Sequence, residues 1–159
     1  IFHCHARVVG WLGKGSSGNA GEGMTMKKTF STKNPSQAIG IDIVEIKRLS
    51  RVSKKWGDGF LKKVYTDREL AYARSKRFPY QHLAARFAAK EAIFKALGEV
   101  EKDFVGWRNV EILNDAYGKP VVHWHGTAEE VRKKRKLKNV VVSLSHTENY
   151  AVASAMLIF

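Results

Sequence analysis

Arg86-Phe-Ala-Ala-Lys-Glu-Ala-Ile-Phe-Lys-Ala-Leu-Gly98 is the stretch that decides the fold. At about 100° per residue, Leu83, Phe87, Ile93, Phe94 and Leu97 fall on one broad apolar arc, as in a helix that turns one face to a core. Glu91 projects from the edge of that arc beside Ala84, Ala88 and Lys95. Small alanines there let another element come close, which puts the carboxylate in a crevice rather than fully in water. Lys95 follows Glu91 by four positions on the same side. Taken alone, the two also read as an ordinary ion pair on a wet helix face, worth about 0.2–0.5 kcal/mol. Lys90 falls inside the apolar arc, so it either snorkels along its stem or meets a polar pocket, and periodicity does not choose.

Upstream, Ala38-Ile-Gly-Ile-Asp-Ile-Val44 reads as a buried strand in which Gly40 allows close backbone approach and Asp42 interrupts the apolar run. A buried carboxylate without a partner is costly, so Asp42 must be protonated, hydrogen-bonded or next to a cation. It could cap a turn or pair with an arginine. If the strand packs beside the helix, Asp42 and Glu91 instead supply two hard oxygen ligands, and one or two carboxylates completed by waters and phosphate is how magnesium is usually held.

The rest alternates helices and strands. The pattern predicts a strand at 38–46, a helix at 47–55, and a short helix at 67–75 capped by Thr66 with acids in its first turn. Pro79 breaks the chain before a long helix at 81–97. Strands at 108–114 and 120–125 follow, then a helix at 127–136 opened by Thr127 with Glu130 three residues on. Final strands at 139–146 and 149–158 meet at a turn near Glu148-Asn149. Short turns join the last four strands in pairs, which makes them antiparallel and the fold α+β.

Three segments carry a resemblance: Gly40-Ile-Asp-Ile-Val-Glu-Ile46, the helix Arg86 to Gly98, and Val142-Ser-Leu-Ser-His-Thr147. They closely resemble, in order and spacing, the motifs of the small bacterial-type holo-[acyl-carrier-protein] synthases, the 4′-phosphopantetheinyl transferases. Glu111-Ile-Leu-Asn-Asp-Ala-Tyr-Gly-Lys-Pro120 is similar to the family as well. The resemblance covers 38–159 and implies the phosphopantetheinyl transferase fold, a mainly antiparallel sheet packed against a long central helix. It implies transfer of the phosphopantetheine arm of coenzyme A to a serine of acyl carrier protein, releasing adenosine 3′,5′-bisphosphate, in support of fatty acid biosynthesis. On the matching positions it implies Asp42 and Glu91 as magnesium ligands and Lys95 beside the transferring phosphate. Glu91 is the candidate to take the serine proton, directly or through a bound water. Arg86 matches an arginine near the nucleotide and His146 a residue near the coenzyme. Gly98 ends the helix and lets backbone approach the ligand. Lys119 and Pro120 belong to a hairpin turn that, in the family, lies against the nucleotide of a neighbouring subunit. A homotrimer with sites at its interfaces is implied too.

Composition sets the context. A chain of 159 residues with 44% hydrophobic content suffices for one domain with a sizeable core. The single cysteine, Cys4, excludes an internal disulfide framework and fits a reducing compartment such as the cytoplasm. No apolar stretch approaches the ~18 residues of a membrane span. The net charge of +13 suits two anionic substrates, coenzyme A and an acidic carrier protein, and should speed their encounter. Arg48, Arg51 and Lys55, at i, i+3 and i+7, form a basic stripe that serves as the docking face, and Arg48 matches a family arginine implicated in carrier recognition. The alternative is a basic module that binds nucleic acid or protein without catalysis. Arg132-Lys-Lys-Arg-Lys-Leu-Lys138 favours it, but no zinc-finger spacing or aromatic RNA-binding motif accompanies the charge. Residues 1–37 have no counterpart in the family motifs. Gly-Ser-rich between Gly10 and Gly23, with Glu22 against five basic residues, they suggest a transit-peptide remnant pointing to an organelle of bacterial descent, or an extension upstream of Met24 or Met26. His3-Cys4-His5 lacks a second ligand cluster and makes a poor metal site.

Overall fold

Alternation in one strand organises the molecule. In the computed structural model, which describes residues 36–98 and 106–159, β1 (Gln37–Glu45) turns Gly40, Asp42 and Val44 inward and Ile39, Ile41 and Ile43 outward. The strand was expected to be buried on both faces. It is buried on one only, because it is an edge strand backed by a helix on a single side, and the three isoleucines are 69%, 63% and 60% exposed.

Helix α1 (Ile46–Val64) runs past the expected end at residue 55. Gly57, at φ 63° and ψ −160°, interrupts it in a region that L side chains avoid, and the helix resumes beyond. Helix α2 (Asp67–Arg74) opens on the expected cap, with the Thr66 side chain accepting from the Glu69 backbone and Glu69 returning a bond to the Thr66 backbone. Helix α3 (Pro79–Leu97) starts on its proline rather than after it, since the first helical position needs no N–H donor. The anticipated strand at 108–114 is a 3₁₀ turn (Trp107–Asn109) followed by β2 (Val110–Asn114), which pairs with β3 (Pro120–Trp124). Helix α4 (Gly126–Lys134) begins at His125 without a side-chain cap. The box expected of Thr127 and Glu130 does not form, and the Thr127 hydroxyl accepts from Asn109 Nδ2 at 2.9 Å instead. The β4 (Asn139–His146) and β5 (Tyr150–Ile158) strands close the chain.

Both late hairpins are antiparallel as expected, but they lie in different sheets: β1-β5-β4 and β2-β3. The inward rows of the larger sheet are small. Gly40 lies opposite Ala155, Asp42 opposite Ala153 and Val44 opposite Ala151. Against them α3 presents Ala84, Ala88, Ala89, Ala92 and Ala96, all buried. Small residues on both surfaces bring helix and sheet close, so α3 is buried nearly all round rather than along one arc. Of residues 1–37, only Ser36 and Gln37 are described; the His3-Cys4-His5 triplet lies outside the described residues.

Candidate active site

Gly40 is where the site begins. A Cβ there would stand 2.0 Å from the Ala92 carbonyl oxygen and 2.9 Å from the Ala96 backbone nitrogen, so only glycine lets β1 lie this close to α3. The same contact brings Asp42 alongside the turn that carries Glu91 and Lys95. Lys95 Nζ donates to Asp42 Oδ1 at 2.7 Å and to the Ile41 carbonyl oxygen at 3.3 Å. Asp42 is 6% exposed and Glu91 half-buried. Burial pushes the Glu91 carboxyl above its ordinary range, the charge on Asp42 adds to the rise, and the Lys95 ammonium opposes it.

This donor set fits a small hard divalent cation. Two carboxylates feel one another's charge, one ammonium partly offsets them, and no cluster of three or more His, Cys, Asp or Glu gathers among the described residues. A cation held by such a pair keeps water and accepts phosphate oxygens, which is magnesium's habit rather than zinc's.

Lys90, next to Glu91, resolves the other way. Its Nζ donates to Glu69 Oε2 at 2.7 Å, to the Val64 carbonyl at 2.8 Å and to the Trp107 carbonyl at 3.0 Å, and the pair with Glu69 is fully buried. Burial lowers its pKa while Glu69 opposes the shift. Glu69 Oε1 accepts from the Ile112 backbone at 3.0 Å, so one buried ion pair ties α1, α2, α3 and β2 together. The polar pocket, not snorkelling, is the answer to the position of Lys90.

A second group of expected contacts forms a chain of side chains. Arg86 is 2% exposed. Its Nε donates to the Ile112 carbonyl at 3.0 Å, Nη1 to the His82 carbonyl at 3.3 Å and Nη2 to Asn114 Oδ1 at 2.6 Å, which ties α3 to β2. Asn114 Nδ2 in turn donates to the Gly118 carbonyl at 2.7 Å, which fixes the hairpin that presents Lys119 and Pro120. The Arg86 guanidinium stacks over Tyr72 at 4.1 Å. Tyr72 meets His82 edge-on at 5.8 Å, and His82 meets His146 edge-on at 5.4 Å. His82, Tyr72 and Asn114 escaped the sequence reading; a histidine four positions before Arg86 was the one available signal. His146 faces inward opposite Ala151, two strand spacings (about 10 Å) across the sheet from β1 and one inward row beyond Asp42. Gly98, exposed at φ 78°, ends α3 with its N–H on the Lys95 carbonyl. Thus Asp42, Glu91 and Lys95 converge, Arg86 connects to the Lys119-Pro120 hairpin and to His146, and Gly98 stands at the far end of the helix.

On α1 the basic stripe is exposed. Arg51 lies 3.6 Å from Glu45, and Lys55 Nζ sits 5.3 Å above the exposed Trp56 ring. A recess of about 450 Å³ opens beside them, lined by Ile46 and Tyr80 and rimmed by Lys47, Arg51 and Lys54.

Comparison with known proteins matches this geometry to a family. A holo-[acyl-carrier-protein] synthase of Syntrophus aciditrophicus is 42% identical over 118 residues, covering 74% of this chain and 92% of that protein. One from Protochlamydia amoebophila is 44% identical over 118 residues, covering 74% and 94%. Among solved structures, the holo-[acyl-carrier-protein] synthase of Neisseria meningitidis superposes with a TM-score of 0.71 at 34% identity over 77% of this chain and 98% of that one. The Helicobacter pylori enzyme in complex with coenzyme A gives 0.66 at 26% identity over 75% and 98%. Residues 38–155 match the model of the 4′-phosphopantetheinyl transferase superfamily, and the chain belongs to that family.

Proposed function

We propose that this chain is a magnesium-dependent holo-[acyl-carrier-protein] synthase: it transfers the 4′-phosphopantetheine arm of coenzyme A to a serine of an apo acyl carrier protein, in support of fatty acid biosynthesis. The observation that carries the reading is the convergence of Asp42, Glu91 and Lys95 across the β1–α3 contact in a chain of this family. The transferase domain is assigned to 38–159, with the preceding residues as an extension.

In the reaction the serine oxygen forms a bond to the phosphorus of the pantetheine phosphate, and the pyrophosphate bond to adenosine 3′,5′-bisphosphate breaks. Negative charge grows on the non-bridging and leaving oxygens, so most of the catalysis is positioning and charge compensation. Asp42 and Glu91 would hold magnesium, which supplies positive charge to the diphosphate. Lys95, on a flexible stem, brings an ammonium to the transferring phosphate. Glu91, whose carboxyl is raised by burial and by Asp42, is the group suited to take the serine proton, directly or through a bound water. His146 and the Lys119-Pro120 hairpin serve the coenzyme, while Arg86 and Gly98 shape the walls around it. Arg48, Arg51 and Lys55 face solvent where an acidic carrier protein would dock, in keeping with the net charge of +13.

The outward face of the larger sheet offers a surface for subunit assembly, taken here as the homotrimer that the family resemblance implies. Its rows are Ile39–Met156–Val141, Ile41–Ser154–Ser143 and Ile43–Val152–Ser145, and six of these nine residues are apolar. A continuous apolar face of this kind marks a protein interface. Among the described residues no helix is long and apolar enough to cross a membrane, and the reading places the enzyme with its substrates in the cytoplasm or an organelle of bacterial descent. The test is to incubate the protein with coenzyme A, magnesium and apo carrier proteins, with and without chelator. A carrier mass gain equal to the arm, lost with chelator, is expected. No gain with several carriers would overturn the reading. Light scattering checks the trimer.

A further inference from the structure

Lys95 and Asp42 are bonded to each other, yet each is needed elsewhere. An ammonium at 2.7 Å occupies Asp42 Oδ1, an oxygen of a carboxylate only 6% exposed. A divalent cation on the same oxygen would face that ammonium at contact distance in a poorly solvated place, where like charges repel strongly.

We infer that Lys95 is a placeholder counter-ion, neutralising Asp42 until a divalent cation arrives and then passing from Asp42 to the phosphate of the diphosphate substrate. Cation and coenzyme thereby bind cooperatively. This rests on the transferase reading above. Lys95 has room for the exchange, being 21% exposed on a four-carbon stem with the Ile41 carbonyl as a second acceptor beside Asp42. Lys90, five residues earlier, has none: it is enclosed by three acceptors at 2.7–3.0 Å and 0% exposed.

Nuclear magnetic resonance of the lysine ammonium groups in the full chain tests the idea directly. In metal-free protein both Lys95 and Lys90 should give signals protected from water, the former assigned by its loss in Lys95→Met. Magnesium alone should shift or broaden the Lys95 signal and leave that of Lys90 unchanged; adding coenzyme A without carrier protein should restore Lys95 at a new position. By calorimetry, coenzyme A should tighten magnesium binding roughly tenfold, within the 5–150-fold usual for coupled sites, and magnesium should tighten coenzyme A by the same factor. Lys95→Met should bind magnesium alone more tightly than wild type and lose most of that coupling. If magnesium binds while the Lys95 signal stays as it was, the exchange is wrong and the transferase reading stands. If magnesium binds neither wild type nor Lys95→Met, with or without coenzyme A, both fall together.

Discussion

Helix α3 carries two lysines with opposite fates. Lys90 lies in a closed network: Glu69, two backbone carbonyls and full burial leave it one arrangement, and Glu69 spends its own oxygens on Thr66 and Ile112. Lys95 lies in an open one, bonded to Asp42 but partly exposed, with the half-buried Glu91 alongside. The chemistry is the same, ammonium against carboxylate. What differs is enclosure: a fully buried and satisfied pair fixes a structure, whereas a partly exposed one beside a second carboxylate holds charge that a substrate can answer.

Removing the closed lysine should have the largest effect. Lys90→Met leaves Glu69 buried without its cation and is expected to cost about 3–5 kcal/mol in urea unfolding. Adding Glu69→Gln should recover part of that, since the amide oxygen still accepts from backbone. A Lys90→Met protein as stable as wild type would erase the contrast.

On the open side the order reverses. Glu91→Gln should lower transfer to the carrier by about a hundred- to a thousandfold, the usual loss when a charge-stabilising group is removed from an active site. Its metal-free melting temperature should rise slightly, because the carboxylate that crowds Asp42 is gone. Transfer measured by carrier mass shift beside a thermal melt separates the two. A fully active Glu91→Gln variant would remove the residue from the site.

Gly40→Ala tests the contact on which the open site depends. The new Cβ would press on the Ala92 carbonyl, which is backbone and cannot turn aside. Strand and helix must separate, at about 1–3 kcal/mol, and Asp42 moves away from Glu91 with them. Stability and magnesium binding should fall together in this variant, unlike in either of the others.

These expectations mark how far the sequence could be read. The helix around Glu91, the strand around Asp42 and the two late hairpins were legible because apolar period and turn residues are local signals. The partners of Lys90 were not: Glu69, Val64 and Trp107 come from other elements, and only tertiary packing decides that they meet. The first helix was expected to end at residue 55, yet one positive φ at Gly57 merely interrupts it. Pro79 suggested a break, though it suits a helix start. The bonds from Arg86 to Ile112, His82 and Asn114 were equally out of reach, since two of these partners depend on how β2 packs against α3 and the third is one of the helix's own carbonyls. The three outward isoleucines of β1 read as core because alternation is masked when the inward positions are glycine, aspartate and valine.

The smallest effect comes from His82, set beside His146, Arg86 and Lys76. Burial lowers the pKa of His82 from its ordinary 6.5, and His146, Arg86 and Lys76 lower it further. Tyr72 contributes only its ring, edge-on. A folded pKa below the unfolded one means that the unfolded chain binds the extra proton first, so stability rises with pH across the interval between the two values and is lost as pH falls from about 6.5 through the folded value. His82→Gln should flatten the melting curve's dependence on pH as pH falls below about 6.5, without changing its level at pH 8. An equally steep acid decline in the variant would assign the slope to another group. It would also leave the edge-on pair His82–His146 as packing alone.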